Sequence, residues 1–360
     1  MEREINVGII GCGGIANGKH FPALKATEGV KMVAFCDIIP ERAEKAAKEY
    51  GTADAKVYED YRELLKDDSI EAVHVLTPNL YHSEITVAAL EAGKHVLCEK
   101  PMAINAAEAK KMLDARDRSG KILSIGYQNR RRPENMCLKE ACERGDLGDI
   151  YFAKAIALRR RAVPTWGVFI EEELQGGGPL IDIGTHALDL TLWMMDNYEP
   201  KYVVGNTYKK LNNMTRTGNA WGDWDPKKFT VEDSAFGFIT MKNGATIVLE
   251  SSWALNIRNP VEARTLLCGT KAGADTIDGL TFNKSDMGRL VETDVDLTSG
   301  GVAFYSGKTE TPEALEADNF YAAIRRGEEL IVKPEQAYVV SLILDAIYES
   351  AKTGKPVYFD

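Results

Sequence analysis

Cysteine is scarce and carries no pattern. The six cysteines of the 360-residue chain, Cys12, Cys36, Cys98, Cys137, Cys142 and Cys268, form no C-x-x-C pair and no zinc-ligand spacing. That composition reads as reduced, buried thiols in a cytoplasm, with no metal site. Long apolar runs are also missing. No segment approaches the ~18 consecutive apolar residues of a membrane span. Met1-Glu2-Arg3-Glu4 leads straight into an apolar strand, without the charged leader and apolar stretch of a signal peptide. Basic residues are in deficit: 44 Lys and Arg face 54 Asp and Glu, for a net charge of -10. This argues against nucleic-acid and anionic-membrane partners. The sequence has no internal repeat, low-complexity run or long linker. What remains is an ordinary globular composition, 44% hydrophobic and 27% charged, in a chain long enough for two domains with real cores.

The first third alternates strand and helix patterns. Ile5 to Ile10 is a buried strand, followed directly by Gly11-Cys12-Gly13-Gly14-Ile15-Ala16, a G-x-G-x-x-A loop that opens a helical pattern. Gly11 permits the tight turn, Gly13 admits a pyrophosphate close to the backbone, and Ala16 allows close helix–sheet packing. The N–H groups of Gly14 and Ile15, at the helix start, then face the phosphates. The second strand, Met32 to Cys36, ends in Asp37, near the spacing of about 20 residues at which such a loop is followed by a ribose-binding acid. An acid there accepts from both ribose hydroxyls and repels a 2'-phosphate. No arginine follows directly, so NAD is favoured over NADP.

Strands at 72–76, 95–100 and 122–126, separated by helices at 40–50, 59–66, 81–91 and 105–118, complete the pattern of a doubly wound parallel sheet. Ligands bind such sheets at the carboxyl edge. Two strand ends join the glycine loop there. One is Thr77-Pro78-Asn79, with His82 a helical turn further on as a contact to the cofactor side. The other is Glu99-Lys100-Pro101, where proline stops the strand and leaves the Lys100 ammonium at the edge. Cis costs only about 0.5–1 kcal/mol at an X-Pro bond, and the Lys100–Pro101 peptide is expected to be cis.

After Gly126 the pattern changes. A polar, basic crossing, 127–133, enters a helix at 134–144. Strand patterns follow at 151–159, 202–209, 234–241, 245–253 and 263–268, with Asn243-Gly244 a strong hairpin signal. Two helices, 312–326 and 335–352, and the apolar Val357-Tyr358-Phe359 close the chain. The expected organisation is an α/β domain over 1–126 and an α+β domain over 127–360. The second domain carries the other chemical constellation. After Gly176-Gly177-Gly178, a helix from about Leu180 to Met195 places Asp182, His186 and Asp189 on one face. An acid and a histidine one turn apart on a helix buried nearly all round are costly unless paired. The pattern reads as a proton acceptor with a carboxylate neighbour; no third ligand at metal spacing accompanies it.

In this order, G-x-G-x-x-A, T-P-N-x-x-H, Glu99-Lys100-Pro101 and D-x-G-x-H-x-x-D resemble the Gfo/Idh/MocA family of oxidoreductases, as does the closing stretch from Asp345 to Lys355. The resemblance implies a Rossmann domain followed by a domain with a large, open, mostly antiparallel sheet. It implies NAD as cofactor and a sugar, cyclic polyol or related compound as substrate. By this resemblance Lys100, Asp182 and His186 are catalytic, with His186 the proton acceptor. Gly11, Gly13, Gly14, Ile15 and Asp37 hold the dinucleotide, while Thr77, Pro78, Asn79, His82, Glu99 and Lys100 line it. Gln128 and Asn129, at the crossing between domains, lie near the nicotinamide, and Trp166 resembles a tryptophan that reaches the cofactor in some members.

The implied reaction is alcohol–carbonyl hydride transfer, with Lys100 donating a hydrogen bond to the substrate oxygen. Trp221 and Trp224 are candidates for sugar stacking, with a loop packing two indoles as the plain alternative. A glycosidase acting by transient oxidation and elimination would use the same three residues. A non-enzymatic NAD sensor is a third reading, disfavoured by the buried acid–histidine pair. An open sheet with one bare face also predicts a homodimer or homotetramer.

Overall fold

The computed structural model describes residues 2–214, 216–297 and 310–360. Apolar strands β1 (Ile5–Ile10), β2 (Val30–Cys36), β3 (Lys56–Tyr58), β4 (Ala72–Val75), β5 (His95–Glu99) and β6 (Leu123–Gly126) form one sheet in the order β3-β2-β1-β4-β5-β6. Every pairing in it is parallel. Order reverses between β1 and β4, which sets a switch point at their carboxyl ends. Helices α1 (Phe21–Ala26), α2 (Pro40–Tyr50), α3 (Tyr61–Leu65), α4 (His82–Glu91) and α5 (Ala106–Ser119) supply the crossovers. Neighbouring side chains of each strand enter opposite cores. Ile9 and Phe35 pack with Phe21 and Leu24, while Ile10 and Ala34 pack with Leu64, Leu90 and Met112. The ends of α5 are chemically specified: Asn105 Oδ1 accepts the Glu108 N–H at 2.9 Å, and Gly120 closes the helix at φ +63°.

The second sheet has nine strands. It is built from β7 (Ile150–Leu158), β8 (Pro200–Tyr208), β9 (Ser234–Met241), β10 (Thr246–Ser252), β11 (Val261–Gly269), β12 (Ala272–Asp275), β13 (Thr281–Asp286), β14 (Arg289–Asp294) and β15 (Val357–Tyr358), in the order β14-β13-β12-β11-β7-β10-β9-β8-β15. β7 and β10 pair in parallel; the rest is antiparallel. Helix α6 (Pro133–Glu143) precedes this sheet and the short α7 (Glu172–Gln175) follows β7, while α8 (Thr185–Met195) packs on β7 and β11. Gly205 and Gly237 face each other across β8 and β9, and a Cβ on either would meet Ile347 within 2.7 Å. Two bare glycines thus make the slot that seats that side chain.

The chain divides into two compact units, Met1–Gln128 with Thr309–Tyr338, and Asn129–Lys308 with Val339–Asp360. Helix α9 (Pro312–Arg326) therefore belongs with the Rossmann sheet, where Phe320 and Tyr321 enter the core of β1. The expected single boundary at 126 had placed this helix in the second domain. Its sequence distance hid a packing set by two aromatics. Helix α10 (Pro334–Thr353) begins in the first unit and ends in the second.

Candidate active site

In the first unit the glycine loop has the shape its sequence requires. Gly11 sits at φ +99°, and a Cβ there would come within 2.6 Å of the Leu76 carbonyl oxygen. Around Gly13 and Gly14 an added Cβ meets nothing within 4 Å, so the backbone is open to an approaching group. The helix that follows starts as a π turn, Ala16–His20, before α1. Asp37 follows β2 and is buried. Its Oδ2 accepts the Cys12 N–H at 2.8 Å and its Oδ1 the Ile39 N–H at 2.9 Å, which ties the acid to the glycine loop. Beside it Ile38 and Ile39 stand exposed, at 88% and 38%. Thr77 Oγ1 is buried without a hydrogen-bond partner among the described residues. An open loop, a ribose-type acid, an exposed apolar pair and an orphaned hydroxyl on one sheet edge fit a dinucleotide. Ile15, near the helix start, is 43% exposed, and Pro78 is exposed as well.

Other expected contacts on this edge are engaged within the protein. His82 is 1% exposed, with Nδ1 2.8 Å from the Pro101 carbonyl oxygen and Nε2 2.9 Å from that of Thr77. Its ring offers no free nitrogen to a cofactor. Instead it clamps the ends of β4 and β5 together. Glu99, expected to line the cofactor, is buried: Oε2 accepts the Lys100 N–H at 3.0 Å, and Oε1 lies 2.6 Å from Lys19 Nζ and 2.8 Å from His20 Nε2. Gln128 Oε1 accepts from Lys19 Nζ at 3.1 Å, and Asn79 is 6% exposed. Lys100 is half-buried, and the Lys100–Pro101 peptide is cis, as expected.

In the second unit the expected helix has a more particular beginning. Leu180–Gly184 is a π turn, and α8 continues it from Thr185. The glycine run before it is needed for close approach. A Cβ on Gly177 would fall 2.0 Å from Tyr348 Oη, and one on Gly178 2.1 Å from the Glu232 carbonyl oxygen. Glu232 caps the turn: Oε2 accepts the Gly178 N–H at 2.8 Å, and Oε1 accepts Leu180 N–H at 3.2 Å and Tyr348 Oη–H at 2.9 Å. Burial pushes the Glu232 carboxyl up to about 7, against those donors.

Asp182 is 5% exposed, and its Oδ2 accepts the Trp253 Nε1–H at 2.9 Å, with Arg159 Nη1 4.0 Å away. His186, one turn on, is half-buried, and its Nδ1 is the enclosed nitrogen. Asp189, expected on the same face, is instead committed to Arg130 in a buried two-point ion pair, Nε–Oδ2 2.9 Å and Nη2–Oδ1 2.6 Å. Asn129 is 5% exposed, and its carbonyl accepts from Asn135 Nδ2 at 2.7 Å. Trp166 is 51% exposed and meets the 44% exposed Trp221 edge to face at 4.8 Å. Trp224 is 6% exposed, packs on Phe229 and donates its Nε1–H to Asn212 O at 2.9 Å, the packing given above as the plain alternative to stacking. No cluster of three or more metal-ligating side chains occurs among the described residues.

The sequence reading passed over Lys19, Arg130, Glu232 and Trp253. Lys19-His20, a polar pair entering an apolar helix, was the one local signal among them. The others act across long stretches of chain.

The switch point, the open glycine loop and the acid after β2 define a dinucleotide-binding Rossmann protein with a second domain built on a mostly antiparallel sheet. Residues 5–127 match the oxidoreductase family NAD-binding Rossmann fold and residues 136–275 match the GFO/IDH/MocA C-terminal domain. The chain is 36% identical over 355 residues, 98% of its length and 97% of the relative's, to D-glucoside 3-dehydrogenase of Escherichia coli (strain K12). It is 33% identical to glucose-6-phosphate 3-dehydrogenase of Bacillus subtilis (strain 168), over 66% of this chain and 64% of that protein. Levoglucosan dehydrogenase in complex with NADH superposes with a TM-score of 0.84 at 25% identity, covering 99% of this chain and 100% of the other. The chain belongs to the Gfo/Idh/MocA family of oxidoreductases, and its cofactor is NAD.

Proposed function

We propose that the protein is an NAD-dependent dehydrogenase that oxidises a secondary ring hydroxyl of a sugar or glycoside, with carbon 3 of a glucoside the favoured position. The observation that carries this reading is a capped helix that bears buried Asp182 and, four residues on, His186. It accompanies full-length similarity to a glucoside 3-dehydrogenase. Bound NAD supplies the hydride-accepting nicotinamide. His186 takes the hydroxyl proton at Nε2, because Nδ1 is enclosed. Asp182, fixed by Trp253, stands four residues before it as the carboxylate neighbour in this reading. Lys100 donates a hydrogen bond to the same substrate oxygen and favours charge developing there. NAD is preferred over NADP because Asp37 follows β2 with no arginine beside it. Six free thiols suit a reducing cytoplasm.

The test is a panel of glucosides, free sugars and inositols, followed by NADH absorbance together with aglycone release. Stoichiometric NADH with a keto-sugar supports the reading. Aglycone release without net NADH would make the protein a glycosidase working through transient oxidation. Lys100→Ala is expected to lower kcat by about a hundredfold or more while NAD affinity changes only several-fold. Turnover near wild type in that variant would remove Lys100 from the chemistry.

A further inference from the structure

Behind the strand end that carries Lys100, a set of titratable side chains is buried together. Lys19 Nζ lies 2.6 Å from Glu99 Oε1 and 3.2 Å from Glu316 Oε2, and all three side chains are at most 7% exposed. From Glu99 the contacts run on through His20 Nε2 at 2.8 Å, His20 Nδ1 to His74 Nδ1 at 3.1 Å, and His74 Nε2 to Tyr321 Oη at 2.8 Å. One proton arrangement satisfies this chain. Tyr321 donates to His74 Nε2, His74 Nδ1–H donates to His20 Nδ1, and His20 Nε2–H donates to Glu99. Both imidazoles are then neutral, in keeping with burial, which lowers the pKa of each.

The charge count is therefore one ammonium against two carboxyl groups. Glu99 accepts from Lys19, His20 and the Lys100 amide. Glu316 has only Lys19, and its Oε1 is buried with no hydrogen-bond partner among the described residues. A bare buried carboxylate oxygen is costly, so Glu316 is the member that carries a proton. Burial, opposed by Lys19, pushes its carboxyl up to about 7. Glu99 stays ionised: Lys19 and His20 outweigh the burial that would raise it.

We propose that Lys19 is a positioning residue for Lys100, acting through Glu99, and that Glu316 is a built-in proton switch whose ionisation draws Lys19 away from Glu99. The charged groups that act on Glu316 are Lys19 from the π turn, Glu99 from β5 and Glu313 from α9 itself, while His20, His74 and Tyr321 join the cluster through Glu99. Lys19 answers to two acceptors. While Glu316 is neutral, the ammonium belongs to Glu99, which in turn holds the amide of Lys100. When Glu316 ionises, two anions compete for one cation, and the grip on Lys100 slackens. Its consequence for turnover rests on the role given to Lys100 above; the structural part does not.

Residue-resolved hydrogen exchange on the whole chain, without NAD or substrate, reads that structural part. Lys19→Met is expected to speed exchange of the Lys100 amide by about tenfold, with Lys19→Arg restoring part of the protection. In wild type, protection of that amide, corrected for intrinsic base catalysis, should fall from about pH 6 to about pH 8, and in Glu316→Gln it should stay level. Turnover gives the second readout. Lys19→Met lowers kcat more than it changes substrate KM, and Glu316→Gln extends the kcat plateau to higher pH. Unchanged Lys100 protection in Lys19→Met overturns the positioning role, and a Glu316→Gln pH profile that tracks wild type overturns the switch. If Lys19→Met does not fold, the Glu316→Gln profiles decide alone. If Lys100→Ala keeps full turnover, the catalytic reading fails while the exchange result still stands.

Discussion

Single side chains here do two jobs, and the hydrogen bonds show which comes first. Asp37 spends one acceptor site of each oxygen on the backbone N–H groups of Cys12 and Ile39. A carboxylate has about four such sites, so capacity remains for ribose hydroxyls while the acid is held in place. Asp37→Ala is therefore expected to weaken NAD binding and to narrow the ratio of NAD to NADP affinity. Titration of both cofactors measures it, and tighter NADP binding by wild type would refute the preference. Glu232 is a cap that doubles as a titrating group. Burial disfavours its anion and pushes the carboxyl up to about 7, from an ordinary glutamate value of 4.5. A raised acid contributes stability that is full below its unfolded pKa and is lost as pH climbs through the folded one. That loss is on the order of 3 kcal/mol between about pH 4.5 and pH 7. Thermal midpoints across this range should fall less steeply for Glu232→Gln than for wild type. Glu316 titrates in the same window, so the difference between variant and wild type is the quantity to read.

At the scale of elements, the helix bearing Asp182 and His186 is held at both ends. Glu232 closes its π turn, and further along Arg130 grips Asp189 while lying 5.4 Å over the ring of Trp193. Removing one partner of a buried ion pair strands the other, at a cost of about 3–5 kcal/mol, whereas an apolar pair of like volume is often neutral. Arg130→Ala should lower the thermal midpoint sharply, and Arg130→Met with Asp189→Leu should recover most of it. A small effect of Arg130→Ala would mean that the pair is solvated. This pair also marks where sequence reading stopped. The D-x-G-x-H-x-x-D spacing located the helix but assigned Asp189 to the wrong company, since its partner lies 59 residues upstream. Period-2 and period-3.6 patterns located most elements of the first unit within a residue or two. The exposed hairpin of β13 and β14 escaped, because strands without a buried face carry no alternation. The glycine loop was legible because the chain makes that site locally. Glu316 and Tyr321 were not, because a helix from the far end of the sequence delivers them.

For the whole molecule, the open question is what covers the large sheet. Helix α8 lies on one face. On the other, cross-strand neighbours Val204, Phe238 and Val248 form an apolar row across β8, β9 and β10, with Val204 38% and Phe238 45% exposed. Tyr208 and Phe236 contact each other at 6.1 Å on the same face, and Tyr202 meets Tyr358 at 5.5 Å at the sheet's edge. Scattered apolar residues on a surface are ordinary, but a contiguous row across paired strands is the kind of patch monomers rarely leave in water. A second copy of the chain is the occupant that self-complementarity favours, since a two-fold axis sets the row against itself. A stable interface of this kind buries about 1,200–2,000 Å² in total, which a face of several strands can supply. The protein is therefore expected to be a dimer or tetramer by light scattering at micromolar concentration. Phe238→Glu, which puts a charge at the centre of the row, should shift the mass toward the monomer while leaving the far-ultraviolet circular dichroism unchanged. A wild-type mass equal to one chain would leave this face bare in solution and remove the argument. A Phe238→Glu variant that stays oligomeric would move the interface elsewhere.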